Sequence, residues 1–214
     1  MAEQTKSALD PIRNFVRKIV RQFAKFINTL SGGNVTPSGV TIVGLLAHIP
    51  IAWLIATRHD ILGAILLVIF GLFDTLDGEL ARLQKTESTK GMLLDAVTDR
   101  FKEVILYTAV GYNLVSTGSP YLAVWAIIAC GASISVSYVK AKGESAYLSQ
   151  GHKVAKINNL FKDGLMRFEV RMVILILGLL LNYLGAAIII IGVFSSYTAI
   201  SRLVNVNNKI DVQD

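Results

Sequence analysis

Six largely apolar stretches constrain this chain more than any other feature. They run over residues 38–57, 61–80, 92–115, 120–140, 168–183 and 185–203, each near the roughly 20 residues that carry a helix across the hydrocarbon core of a bilayer. The predicted fold is therefore an all-α integral membrane protein with six transmembrane helices. Composition agrees: 53% of residues are hydrophobic and only 17% are charged, which places the chain outside the soluble class. The last two stretches are separated only by Asn182, Tyr183, Leu184 and Gly185. Their summed length favours two helices joined by a tight turn over one kinked helix.

Charge placement orients these spans. Lys6, Arg13, Arg17, Lys18, Arg21 and Lys25 precede the first span, and Arg82, Lys85 and Lys90 lie around the connection between the second and third. Further basic residues fall from Lys140 to Lys162 and at Arg202 and Lys209. The alternate connections hold Arg58 or nothing basic, so the positive-inside rule predicts a multi-pass protein of the cell membrane with both termini and any active site on the cytoplasmic side. No secretory cleavage pattern precedes the first span, so the N-terminus is expected to be retained. The single cysteine, Cys130, supports neither a disulfide framework nor a cysteine-rich metal site.

Before the first span, Ile12, Phe15, Val16, Ile19, Val20, Phe23 and Ile27 recur at helical steps with basic residues between them. This pattern predicts an amphipathic interfacial helix anchored on anionic headgroups. Ser31, Gly32, Gly33 and Pro37 then turn the chain into the membrane. The expected organisation is a juxtamembrane segment over 1–37, a membrane domain over 38–205 and a cytoplasmic tail over 206–214.

The chemistry-bearing residues lie in the second and third spans. Asp74, Asp77, Gly78, Ala81 and Arg82 share one helical face, and Asp95 and Asp99 share a face of the following helix. Carboxylates at membrane depth are costly and functional by default. Two readings compete for them, a structural ion-pair network with Arg82, Arg100 and Lys102 or a metal centre. Four acids exceed what Arg82 can neutralise from its own stripe, which favours cations bound between the helices. An all-oxygen ligand set suits Mg²⁺ or Mn²⁺ and disfavours Zn²⁺ or copper. The scattered His48, His59 and His152 read as ordinary residues. Small side chains at Gly78 and Ala81 would let a ligand approach the helix closely, although they also serve helix packing.

The pattern Asp74-x2-Asp77-Gly78-x2-Ala81-Arg82-x8-Gly91-x3-Asp95-x3-Asp99 resembles the full signature of the CDP-alcohol phosphotransferase family. The six-span layout, the amphipathic first helix and the Asn34-Val35-Thr36-Pro37 turn extend that similarity over most of the chain. The resemblance implies transfer of a phosphoalcohol from a CDP-linked lipid, CDP-diacylglycerol or CDP-archaeol, with release of CMP. It also implies two divalent ions, held by Asp74, Asp77, Asp95 and Asp99, with Asp99 as the catalytic base. Asp74, Asp77, Gly78, Ala81, Arg82 and Gly91 would border the CDP group.

Two later segments, Tyr138-Val139-Lys140-Ala141-Lys142-Gly143-Glu144 and the stretch from Gly164 to Arg171, resemble the inositol-phosphate branch of that family. Lys142 stands where arginine is usual, Gly143 where alanine is, and Arg167-Phe168 where Glu-Arg is common. The branch implies inositol phosphate as acceptor, with Lys140, Arg171 and Arg202 around its phosphate. A phosphorylated acceptor brings negative charge toward a pyrophosphate, so a cationic pocket makes physical sense. Lys142, Lys153 and Lys156 read instead as positive-inside residues at the interface. Glycerol phosphate, serine and free inositol are the alternative acceptors, and a cation transporter is the alternative from another class. Gly111, Gly131 and Ala132 suit a homodimer interface or internal packing equally. Membrane lipids are expected partners and nucleic acid is not.

Overall fold

The structure, a computed structural model, describes residues 10–149 and 164–210, and side chains from residue 16 to residue 208. The readings made for His152, Lys153, Lys156, the first nine residues and the last four therefore lie outside the described residues. Eight helices and no strand occur among the described residues: α1 (Asp10–Leu30), α2 (Pro37–Ala56), α3 (Asp60–Gly71), α4 (Phe73–Gln84), α5 (Thr89–Ser116), α6 (Pro120–Ser149), α7 (Phe168–Leu180) and α8 (Leu184–Ile210). The all-α expectation holds.

Four helical segments are long and apolar enough to cross a membrane: Pro37–Ala56, Asp60–Gln84, Pro120–Ser149 and Leu184–Asn208. Two of the expected spans fall short of that standard for different reasons. α5 has 28 residues, a length of about 42 Å, but carries Asp95, Asp99, Arg100, Lys102 and Glu103 among its first fifteen residues. α7 has 13 residues, or about 20 Å, less than the roughly 30 Å of hydrocarbon. The second span is also not one continuous helix. It breaks at Leu72, whose amide donates to Ile69 O at 3.3 Å before α4 restarts.

The chain divides into two compact units, and α2, α3 and α5 contribute to both. The first comprises residues 1–49 and 66–102, the second residues 50–65 and 103–214.

In the first unit α1 packs on α4. Val20, Ala24, Val40, Leu76 and Leu80 form its buried core, flanked by Val16, Ile27, Val35, Phe73 and Leu83. The Gln84 amide fixes the pair by donating to Asn28 Oδ1 at 2.9 Å and Val35 O at 2.8 Å. After α1 the chain reverses through Gly32 and Gly33, whose φ values of 58° and 82° are left-handed and therefore suited to glycine. Thr36 then accepts the Gly39 amide at 3.1 Å, with Pro37 in the first helical position. The apolar side of α1 is divided. Val16, Val20 and Ile27 face α4, whereas Ile19, Phe23, Phe26 and Leu30 are exposed, so one apolar row serves the protein and a second is left for the surroundings.

In the second unit α6 and α8 run parallel. A side chain on Gly185 would strike Leu122 and one on Gly192 would crowd Trp125 and Ile128, while Arg202 Nη1 donates to Val136 O at 3.2 Å. Contacts advance together along both chains. α7 folds back antiparallel on α8, with Gly178 packed so tightly on Ala187 that no larger residue fits. Gly111 lies against Ala126 of α6, whereas nothing lies within 4 Å of the position a Gly131 side chain would take. Asn113 Nδ2 ties α5 to the start of α3, donating to Ile55 O at 2.6 Å and Asp60 Oδ1 at 3.0 Å.

Candidate active site

The helix break at Leu72 places Asp74 in the first turn of α4, where the helix N-terminus favours a negative group. Asp77 follows one turn later and is buried, and Thr41 Oγ1 donates to its Oδ2 at 2.6 Å. Ser88 accepts the Gly91 amide at 3.1 Å and so caps the start of α5. Asp95 and Asp99 then sit one turn apart on that helix. The sequence spacing thus becomes a three-dimensional cluster: one carboxylate oxygen from each of Asp74, Asp95 and Asp99 lies within 4.8 Å of the others. Asp77 lies outside that trio, with only its Oδ2 engaged by Thr41.

The cluster contains its own cation. Lys102 is completely buried, and its ammonium donates to Asp74 Oδ1 and to Asp99 Oδ1, the latter at 3.2 Å. Arg100 approaches Asp99 Oδ2 at 3.9 Å. Of the cations weighed for an ion-pair network, Lys102 and Arg100 approach the aspartates and Arg82 does not. Arg82 Nη2 donates to Glu79 Oε1 at 2.7 Å, and Arg17 reaches the same oxygen at 3.6 Å. Glu79 is buried and faces away from the aspartate stripe because it lies two residues from Asp77. Its carboxylate instead steadies the guanidinium that lies near Gly78, where an added side chain would meet Arg82 Nη2 at 3.5 Å. Ala81 and Gly91 are half-buried on the same elements.

Three carboxylates at this separation fit a hard divalent ion. Metal–oxygen bonds of about 2.1 Å put ligand oxygens roughly 3–4 Å apart, so small side-chain shifts would close the set. His48 is buried with Nδ1 on Gly44 O at 2.7 Å, and His59 Nδ1 lies 3.0 Å from Thr57 Oγ1, so neither joins the cluster.

The basic residues expected around an acceptor belong to the second unit. Arg171 is buried, its Nε donating to Glu103 Oε1 at 2.6 Å and its Nη1 to Met166 O. Arg202 is buried as well, and Gly164 packs directly on its guanidinium. The short segment from Gly164 to Met166 therefore touches both arginines. Lys140 is different: it is largely exposed and sits 3.7 Å from Glu144. Thr41, Glu79 and Glu103 were not among the expected site residues. Glu103 carried a signal, a carboxylate one turn beyond Asp99 at the start of the apolar second half of α5. A cavity of ≈ 540 Å³ lined by Arg58, Asp60, Leu180 and Asn182 contains none of the signature residues.

Residues 34–198 match the CDP-alcohol phosphatidyltransferase family, a stretch that includes the whole aspartate signature. The chain belongs to this family. It is accordingly a membrane-embedded transferase of phospholipid synthesis, and the transporter reading falls. It is 34% identical to the phosphatidylinositol phosphate synthase of Corynebacterium glutamicum over 195 residues, covering 87% of this chain and 83% of that one. It is 28% identical to the archaetidylinositol phosphate synthase of Methanothermobacter thermautotrophicus over 216 residues, covering 96% and 97%. The fold is shared with the phosphatidylinositol phosphate synthase of Mycobacterium tuberculosis. Its crystal structure with CDP-DAG bound superposes with a TM-score of 0.75 at 24% identity over 88% of this chain and 94% of that one. A second crystal structure of that enzyme, in complex with manganese and citrate, gives a TM-score of 0.73 at 24% identity over 87% and 88%.

Proposed function

We propose that this transferase moves a phosphatidyl or archaetidyl group from CDP-diacylglycerol or CDP-archaeol to inositol phosphate, releasing CMP. The convergence of Asp74, Asp95 and Asp99 carries the reading, because it turns a linear signature into an oxygen-rich site of the right size. The names of the relatives at 34% and 28% identity support the acceptor.

In this reading Asp74, Asp77, Asp95 and Asp99 would hold two divalent ions, Mg²⁺ or Mn²⁺. Bound there, the ions would draw charge from the pyrophosphate and stabilise the departing CMP. Gly78 and Ala81 leave room for the CDP group, Gly91 borders it, and Arg82, braced by Glu79, supplies a positive charge. Asp99 accepts the proton of the acceptor hydroxyl. The oxygen so freed attacks the lipid-bearing phosphorus in line as the bond to the CMP phosphate breaks. Lys140, Arg171 and Arg202 hold the acceptor's phosphate through charge-assisted hydrogen bonds. The protein acts as a homodimer in the cell membrane.

The chain crosses the membrane six times with both termini and the site in the cytoplasm, α1 lying along the surface on its exposed apolar row. The geometry of the second unit supports the count. α6 and α8 are parallel, so a segment containing α7 has to return between them, and α5 and α6 form a hairpin across Gly118. Cysteines introduced near residue 60 and within 144–149 should label from opposite sides of the membrane; labelling from one side overturns this topology.

The assay that tests the function is purified protein with CDP-diacylglycerol or CDP-archaeol, Mg²⁺ or Mn²⁺, and inositol phosphate, glycerol phosphate, serine or inositol in turn. CMP should appear only with lipid donor, metal and inositol phosphate together, and excess chelator should abolish it. Full turnover in chelator would refute the metal reading.

A further inference from the structure

Lys102 stands out once the aspartates are accounted for. It is the only residue of the cluster with no exposed surface, and an ammonium is buried at such cost that it persists only when paired. Its two partners come from different helices, Asp74 from α4 and Asp99 from α5. Both belong to the trio whose oxygens lie within 4.8 Å. The ammonium thus bridges two carboxylates in the way a bound cation would, and it does so through two of the three carboxylates such a cation needs. Being three residues after Asp99, Lys102 reaches them from the same side of α5.

We propose that Lys102 is a resident counter-cation that joins α4 to α5 before a divalent ion arrives and then competes with that ion for the Asp74 and Asp99 oxygens. The proposal rests on the reading of these aspartates as metal ligands. Formal charge explains the arrangement. Asp74, Asp95 and Asp99 carry −3, Lys102 reduces this to −2, and Arg100, 3.9 Å from Asp99 Oδ2, offsets a further part from the cluster's rim. The metal-free cluster thereby avoids three mutually repelling carboxylates, while one divalent ion is still attracted. The same ammonium must give up its hydrogen bonds, or tolerate a divalent neighbour a few ångström away, when metal binds. Lys102 therefore lowers metal affinity in exchange for a stable metal-free state.

The test compares wild type, Lys102→Met and Lys102→Arg as full-length protein in detergent, with Mn²⁺ affinity read from the electron paramagnetic resonance of free Mn²⁺. Thermal midpoints are taken in excess chelator and in saturating Mn²⁺. Loss of a charge-assisted competitor should tighten Mn²⁺ binding in Lys102→Met by roughly tenfold or more. Its midpoint should fall in chelator and recover with Mn²⁺. Lys102→Arg, which keeps the charge, should bind no tighter than wild type. If Lys102→Met does not fold, Lys102→Gln with its shorter neutral side chain takes its place. Amine-labelling of Lys102 in wild type should also rise when Mn²⁺ is added. Equal or weaker Mn²⁺ binding by the folded neutral variant would overturn the proposal and make Lys102 a structural strut. No Mn²⁺ binding by wild type would overturn the aspartate reading and this proposal with it.

Discussion

The two units carry buried charge of opposite sign, and each includes one residue of the other sign. In the first, Lys102 sits among acids; in the second, Glu103 sits against Arg171. These residues are neighbours in sequence. The difference lies in how much charge is left over. Three converging aspartates and a fourth beside Thr41 exceed what Lys102 and Arg100 neutralise, which leaves the first unit demanding more cation. In the second unit Arg171 is matched by Glu103 and Met166 O, Arg202 donates to Val136 O and Lys140 lies 3.7 Å from Glu144, so its charge is largely paired.

Disabling the acidic side should produce the largest effect. Asp99→Asn keeps the shape but removes the carboxylate proposed as both ligand and base, so turnover should fall by roughly 10²–10⁴-fold. If Asp99 were a ligand alone, Mn²⁺ affinity and turnover would drop in parallel; if it is the base, turnover falls further than affinity. Turnover near that of wild type would remove both roles.

The cationic side should respond through the acceptor only. Lys140→Gln and Arg202→Gln should each raise the Michaelis constant for inositol phosphate by roughly ten- to a hundredfold, with that for the CDP-lipid almost unchanged. Arg171→Gln is more complicated because it strands Glu103, an uncompensated buried charge worth about 3–5 kcal/mol. Arg171→Gln combined with Glu103→Gln should therefore regain thermal stability without regaining acceptor binding. Recovery of both would show that Arg171 serves the fold alone.

A smaller effect is expected where the acidic unit meets the nucleotide. Glu79→Gln weakens the brace on Arg82, and the Michaelis constant for the CDP-lipid should rise about tenfold or less. An equal rise in the acceptor constant would contradict the division of labour between the units.

Much of this arrangement was legible in the sequence because its determinants are local. Asp74, Asp77, Asp95 and Asp99 lie three or four residues apart within their helices, so helical periodicity alone aligns them. Hydropathy likewise located α2, α6 and α8. What escaped depends on contacts across long separations. Glu79 meets Arg17 and Glu103 meets Arg171, partners 62 and 68 residues apart, and no periodicity encodes such pairings. The break at Leu72 carries no proline, and the division of α1 into an inner and an outer apolar row requires knowing that α4 lies against it. The contact of Thr41 with Asp77 Oδ2 joins residues 36 positions apart and was likewise not legible.

The most direct test of the account is a competition among acceptors. Purified transferase would receive CDP-diacylglycerol or CDP-archaeol and Mg²⁺ with equimolar inositol phosphate, glycerol phosphate and free inositol, and the mass of the lipid product would be read alongside CMP. The account predicts one lipid product, bearing inositol phosphate, in equal amount to CMP. A product bearing glycerol phosphate, or equal use of free inositol, would contradict it.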